Sequence, residues 1–146
     1  MNTVSDRVKA YFKDFERANN MYDPDLLNPL VSDPLVGAYP SGVVQAVKKE
    51  DYLAGTKESG EYLKSLGYRS FKLTPVAETP LKDNYVLVKV LGTARIEKES
   101  DQSFDLVHDS FYILHMKDDS IKMVFTITHD EPTKMMEDQG FLTTEP

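Results

Sequence analysis

Three histidines, His108, His115 and His129, carry the only imidazoles of this 146-residue chain, and imidazole titrates near neutral pH. His108 and His129 fall in two runs, 103–116 and 121–129, both rich in β-branched and aromatic residues and separated by the polar turn Lys117-Asp118-Asp119-Ser120. If Asp118-Asp119 is a two-residue loop, Met116 stands opposite Ile121, Leu114 opposite Met123, Tyr112 opposite Phe125, Ser110 opposite Ile127 and His108 opposite His129. That register makes His108 and His129 cross-strand neighbours, with Ser110 one step further in and Tyr112 two. An imidazole beside a hydroxyl can shuttle protons, as an isomerase or dehydratase requires. The alternative is that both histidines are solvated at the sheet rim, and a one-residue slip would exchange the faces of a strand. Adding Asp130 or Glu131 would complete a mixed nitrogen and oxygen metal set. Adjacent acids after a strand are more simply loop polarity, so no metal site is assigned. His115 falls on the opposite face.

Tyrosine hydroxyls are the second resource. Tyr11, Tyr39, Tyr62 and Tyr112 could each donate to a ligand carbonyl from an apolar wall, or fill the core with the hydroxyl at its edge. Met116, Met123 and Phe125 suit a core or the lining of an apolar site. No nucleophile triad is present, and Gly37 and Gly42 are too sparse to cradle a phosphate. No cofactor is implied.

These groups need elements to hold them. Val4, Val8, Tyr11, Phe12 and Phe15 recur at helical spacing and predict a helix over 3–19, with Thr3 and Asp6 as a capping box. Asp23-Pro24-Asp25 opens a second, short helix that breaks near Pro29, and residues 35–39 make a short strand. A third helix over 49–66 buries Tyr52, Leu53, Thr56, Ser59, Tyr62, Leu63 and Leu66 and stops at Gly67; Gly55 and Gly60 within it mark close packing. Residues 68–79 form a strand with Phe71, Leu73 and Val76 inward, and Pro75 makes it an edge strand or a bulge. Residues 84–129 form a three-strand antiparallel meander. Its strands are apolar on both faces, so helices cover one face and a second subunit covers the other, through Phe111, Ile113, His115 and Val124.

Length and composition suit one domain over 1–130 followed by a polar tail, 131–146. The chain has no cysteine, which removes disulfides and thiolate chemistry. A net charge of −7 with scattered basic residues argues against nucleic acid as a partner. The start of the chain lacks a secretory apolar core, and no apolar run approaches the roughly 20 residues that span a bilayer, so a cytoplasmic protein without a membrane partner is expected.

Several local patterns resemble the nuclear transport factor 2-like superfamily: Val8-Lys9-Ala10-Tyr11-Phe12 with Phe15-Glu16-Arg17, Leu30-Val31-Ser32-Asp33-Pro34, Pro40-Ser41-Gly42, and Asp118-Asp119-Ser120-Ile121-Lys122-Met123. The resemblance implies an α+β fold with three N-terminal helices and a short strand between the second and third. These pack on a curved, mostly antiparallel four-strand sheet that forms a cone with an apolar pocket, usually in a dimer. Tyr39 ends the strand where relatives line the pocket mouth. The superfamily includes ketosteroid isomerases, dehydratases, polyketide cyclases, epoxide hydrolases and proteins without catalytic activity, so it leaves function open. This chain departs from its relatives in having Ile121 or Lys122 where many carry tryptophan. The tyrosine and two acids of the isomerases find no match, and Arg95 lies opposite the apolar face of its strand. The expectation is a small, mostly apolar ligand lined by Tyr11, Phe15, Tyr39, His108, Ser110, Tyr112, Phe125 and His129. The alternatives are an isomerase, dehydratase or cyclase with His108 or His129 as general acid and base, and a dimeric scaffold.

Overall fold

A computed structural model describes residues 3–97 and 103–127. His129, Asp130, Glu131 and the 131–146 tail lie outside the described residues.

The first helix, α1 (Asp6–Met21), buries Val8, Tyr11, Phe12, Phe15 and Ala18 on one stripe. It starts later than the Thr3 capping box implies, because Ser5 is extended and its Oγ accepts from the Val8 N–H at 3.3 Å. The helix runs two residues past 19, and Asn20 in its last turn bonds outside it. Asn20 accepts from the Phe71 N–H at 2.6 Å and donates to the Phe71 carbonyl at 3.0 Å, while Glu16 accepts from the Leu73 N–H at 2.8 Å. The polar flank of α1 thus satisfies the free edge of a strand, which would otherwise offer unpaired backbone to other chains.

Helix α2 (Pro24–Leu27) is capped by Asp23 as expected and runs into a 3-10 turn, Asn28–Leu30. Strand β1 (Val31–Ala38) begins earlier than the sequence suggests and pairs with β2 (Val44–Val47), a strand the sequence reading did not contain. The expected single third helix is two, α3 (Lys49–Ala54) and α4 (Thr56–Ser65), parted at Gly55. Ser59 and Tyr62 are exposed and not buried. Gly60 lies against the Tyr22 ring, where any Cβ would collide with it, so this glycine does mark close packing.

The sheet has six strands, not four, in the order β2-β1-β6-β5-β4-β3, with β3 (Tyr68–Pro80), β4 (Tyr85–Glu97), β5 (Ser103–Lys117) and β6 (Ser120–Ile127). Only the β1–β6 pairing is parallel. Strand β3 is an edge strand, as Pro75 requires, and its register shifts between Pro75 and Ala77. That shift leaves Val76 46% exposed and not inward.

Near the turn the β5–β6 register is the expected one, with Met116 opposite Ile121 and Leu114 opposite Met123. Beyond that point a bulge adds Val124, so Ile113 faces Phe125, Tyr112 faces Thr126 and Phe111 faces Ile127. The pairings of Tyr112 with Phe125 and Ser110 with Ile127 are therefore replaced.

Buried residues form two apolar clusters on the helix side of the sheet. One joins α1 to Val31, Val88, Val90, Leu114 and Met123; the other is Tyr68, Ala94, Ile96 and Leu106, with Leu63, Leu66, Phe71 and Phe104 against it.

Candidate functional site

A cavity of about 290 Å3 touches both clusters. Its helical wall is Phe15 and Asn19 from α1, Tyr52 from α3 and Leu63 from α4. Its sheet wall is Leu35, Gly37, Val47, Met123, Thr126, His108, Tyr112, Tyr68, Phe71 and Leu73, with Tyr39 just past the end of β1. No Asp, Glu, Lys or Arg is among these residues. No group of acids and histidines that could hold a metal occurs among the described residues.

Of the residues expected at a site, Phe15, Tyr39, His108 and Tyr112 line the cavity. Tyr11 does not: it is buried within the larger cluster and its hydroxyl donates to the Leu30 carbonyl at 2.6 Å. Phe125 does not either, because the Val124 bulge turns it to the other face and brings Thr126 inward. Ser110 shares the face of His108 and Tyr112 but is buried outside the lining. His129 lies outside the described residues.

The sequence reading missed Tyr52, Tyr68, Asn19 and Thr126 as lining. Tyr52 was legible only as part of a helical stripe, and Thr126 was hidden by the bulge.

Glycines shape both ends of the sheet wall. Gly92 pairs with His108, and a Cβ on Gly92 would collide with the imidazole, so the ring lies across β4 because that position has no side chain. A Cβ on Gly37 would stand 3.2 Å from Tyr39 Oη and 3.5 Å from Thr126 Oγ1.

Burial governs the phenols. It pushes Tyr52 up to about 12, helped by the nearby Tyr112 and Tyr39 phenols. Burial also pushes Tyr68 up to about 12, with Tyr22 and Tyr62 adding to the effect. Tyr112 is raised by burial, and the neighbouring Ser110 hydroxyl opposes the shift. At neutral pH these hydroxyls are uncharged donors on a wall whose other described polar side chains are Asn19, His108, Thr126 and Tyr39.

His115 lies on the outer face, its ring 4.8 Å from that of Tyr85. Arg95 is also outside and donates to Asp105 at 3.3 Å and Ser103 at 2.8 Å. No helix among the described residues is long and apolar enough to cross a membrane.

Among solved structures, the chain is similar to an NTF-2 like protein of unknown function from Shewanella oneidensis MR-1. That match has 19% identity and a TM-score of 0.65, and covers 86% of this chain and 98% of that one. A conserved protein from Planctomyces limnophilus DSM 3776 is 12% identical with a TM-score of 0.64, over 84% and 91% of the two chains. A ketosteroid isomerase-like protein from Erwinia carotovora atroseptica SCRI1043 is 10% identical with a TM-score of 0.62, over 83% and 91%. At such identities the likeness speaks for the fold alone. No curated protein matches the chain. A family model described as NTF2-like protein (DUF6841) matches residues 2–131, and the chain belongs to that family.

Proposed function

We propose that this protein binds a small, neutral, mostly apolar molecule in the cavity between its two apolar clusters. The observation that carries this reading is the wall itself: among the described residues it is made of aliphatic and aromatic side chains, four phenols, one imidazole, Asn19 and Thr126, with no Asp, Glu, Lys or Arg. A few placed polar groups in an apolar concavity is the usual make-up of a small-molecule site. A second reading adds catalysis, with His108 moving a proton while a phenol polarises a ligand carbonyl. It is favoured by His108 and Tyr112 lying four positions apart on one strand face in the same cavity.

One NMR experiment tests both. Adding small cyclic ketones is expected to move the His108 ring resonances while leaving His115 on the outer face unmoved. Unmoved His108 signals at saturating ketone would sink the binding reading. Loss of the ketone α-proton signals in heavy water, abolished by His108→Gln, is the outcome the catalytic reading requires. Binding without that exchange leaves a binding protein.

We further propose a homodimer through the outer sheet face. Leu91, Val107 and Ile127 are exposed there, and Phe111, Ile113, His115 and Phe125 lie between them half-buried. This many apolar residues on one open face suits an interface. Sedimentation of the intact chain and of Ile113→Asp tests it, with a dimer expected for the first and a folded monomer for the second. A monomeric wild type at micromolar concentration overturns it.

A further inference from the structure

We propose that the cavity has two polar ends and that its ligand is a neutral, elongated molecule carrying a hydrogen-bond acceptor at each of them. The proposal rests on the small-molecule reading above and specifies the chemistry of that molecule.

One end is built over Gly37. The hydroxyls of Tyr39 and Thr126 stand over that glycine, and Tyr52 and Tyr112 bring two further phenols close enough to influence one another. The other end is built over Gly92, where the imidazole edge of His108 lies across β4. Beyond it on the edge strand is Tyr68, which is 2% exposed and whose buried hydroxyl has no hydrogen-bond partner among the described residues. A buried hydroxyl without a partner is costly, and an acceptor on a ligand would relieve it.

The pairings set the distance between the ends. Gly37 aligns with Thr126, and Thr126 with Tyr112, four positions along β5 from His108. At roughly 3.4 Å per residue this separates the ends by about 14 Å along the sheet, with a shorter span between inward-pointing polar atoms. Apart from Asn19, whose amide donates to the Phe15 carbonyl at 2.7 Å, the rest of the described wall is apolar, including Phe15, Leu63 and Met123. Both ends present donors, and no Asp, Glu, Lys or Arg among the described residues lines either. A carbonyl or ether oxygen at each end fits, whereas a carboxylate or ammonium would meet no side-chain counter-ion of that kind among the described lining.

The probes are three molecules of one shape: a bicyclohexyl scaffold with a ketone at neither, one or both of its far ends. Binding to the intact chain is followed by NMR. Each ketone is expected to tighten binding by about ten-fold, the worth of one well-placed hydrogen bond. Tyr39→Phe and Tyr68→Phe should each bring the diketone down to the affinity of the monoketone, leave the hydrocarbon unchanged and preserve the fold. Gly92→Ala, which displaces the imidazole, should weaken the diketone and spare the hydrocarbon. If the three probes bind equally, the two-ended arrangement is overturned while the apolar-pocket reading stands. If none binds, the pocket reading falls as well.

Discussion

The two halves of the concave sheet face are made from the same strands and reach opposite results. In the half nearest the β5–β6 turn, Val88, Val90, Leu114 and Met123 meet Val8 and Phe12 of α1, and all six are at most 1% exposed. Six residues from Leu114 along β5, the same face carries His108 opposite Gly92, and the space above is a cavity. Their side chains distinguish the halves: the packed half uses aliphatic groups, a thioether and a phenyl ring that interdigitate, while the open half sets glycines beside rings with polar tips. The open half resists collapse because its walls are anchored separately, by Tyr68, Ala94, Ile96 and Leu106 on one side and by α1 on the other.

Matched truncations break this comparison most sharply. Leu114→Ala removes a side chain with no exposure from the packed half and should cost roughly 2–5 kcal/mol. Leu63→Ala deletes the same atoms from a half-buried side chain that already borders empty space, and should cost under about 1.5 kcal/mol. Urea unfolding of the two variants measures both values. Equal costs would mean that the cavity closes in solution and that the two halves are packed alike.

The same contrast explains what was legible in the sequence. The packed half rests on alternation, and the turn register through Leu114 and Met123 was right. The open half depends on irregularities that carry no periodic signal. Met123-Val124-Phe125 is apolar at three consecutive positions, so either parity of β6 satisfies the pattern, and only the packing of the bulge selects Thr126 over Phe125 for the cavity. Strand β2 is four residues long with three of them exposed, too short and too open to leave an alternation. Tyr52 reads as one member of a helical stripe until the break at Gly55 separates α3 from α4. Phe15, His108 and Tyr112 line the cavity because each follows its element's period, whereas Tyr39, just past the end of β1, was expected there only through the resemblance. Tyr68 was overlooked because the first residue of a strand has no neighbour to establish its parity.

Alkaline titration gives a smaller effect that sharpens the same comparison, because Tyr68 is a buried phenol of the open half. Burial holds Tyr68 at about 12 against an ordinary value of 10. The unfolded chain therefore loses its phenolic proton first as pH rises. Stability from this group is complete below pH 10 and declines between about 10 and 12, and the folded phenol itself ionises only at the upper end. At pH 11 the difference amounts to about 1.4 kcal/mol for one such residue. Tyr68→Phe removes the titrating group and nearly preserves the ring, so its loss of stability between pH 8 and 11 should be smaller than the wild type's by about that amount. Urea unfolding at the two pH values reads the difference. An identical decline in both proteins would place the Tyr68 hydroxyl in water, and with it would go the dry polar end of the cavity over Gly92.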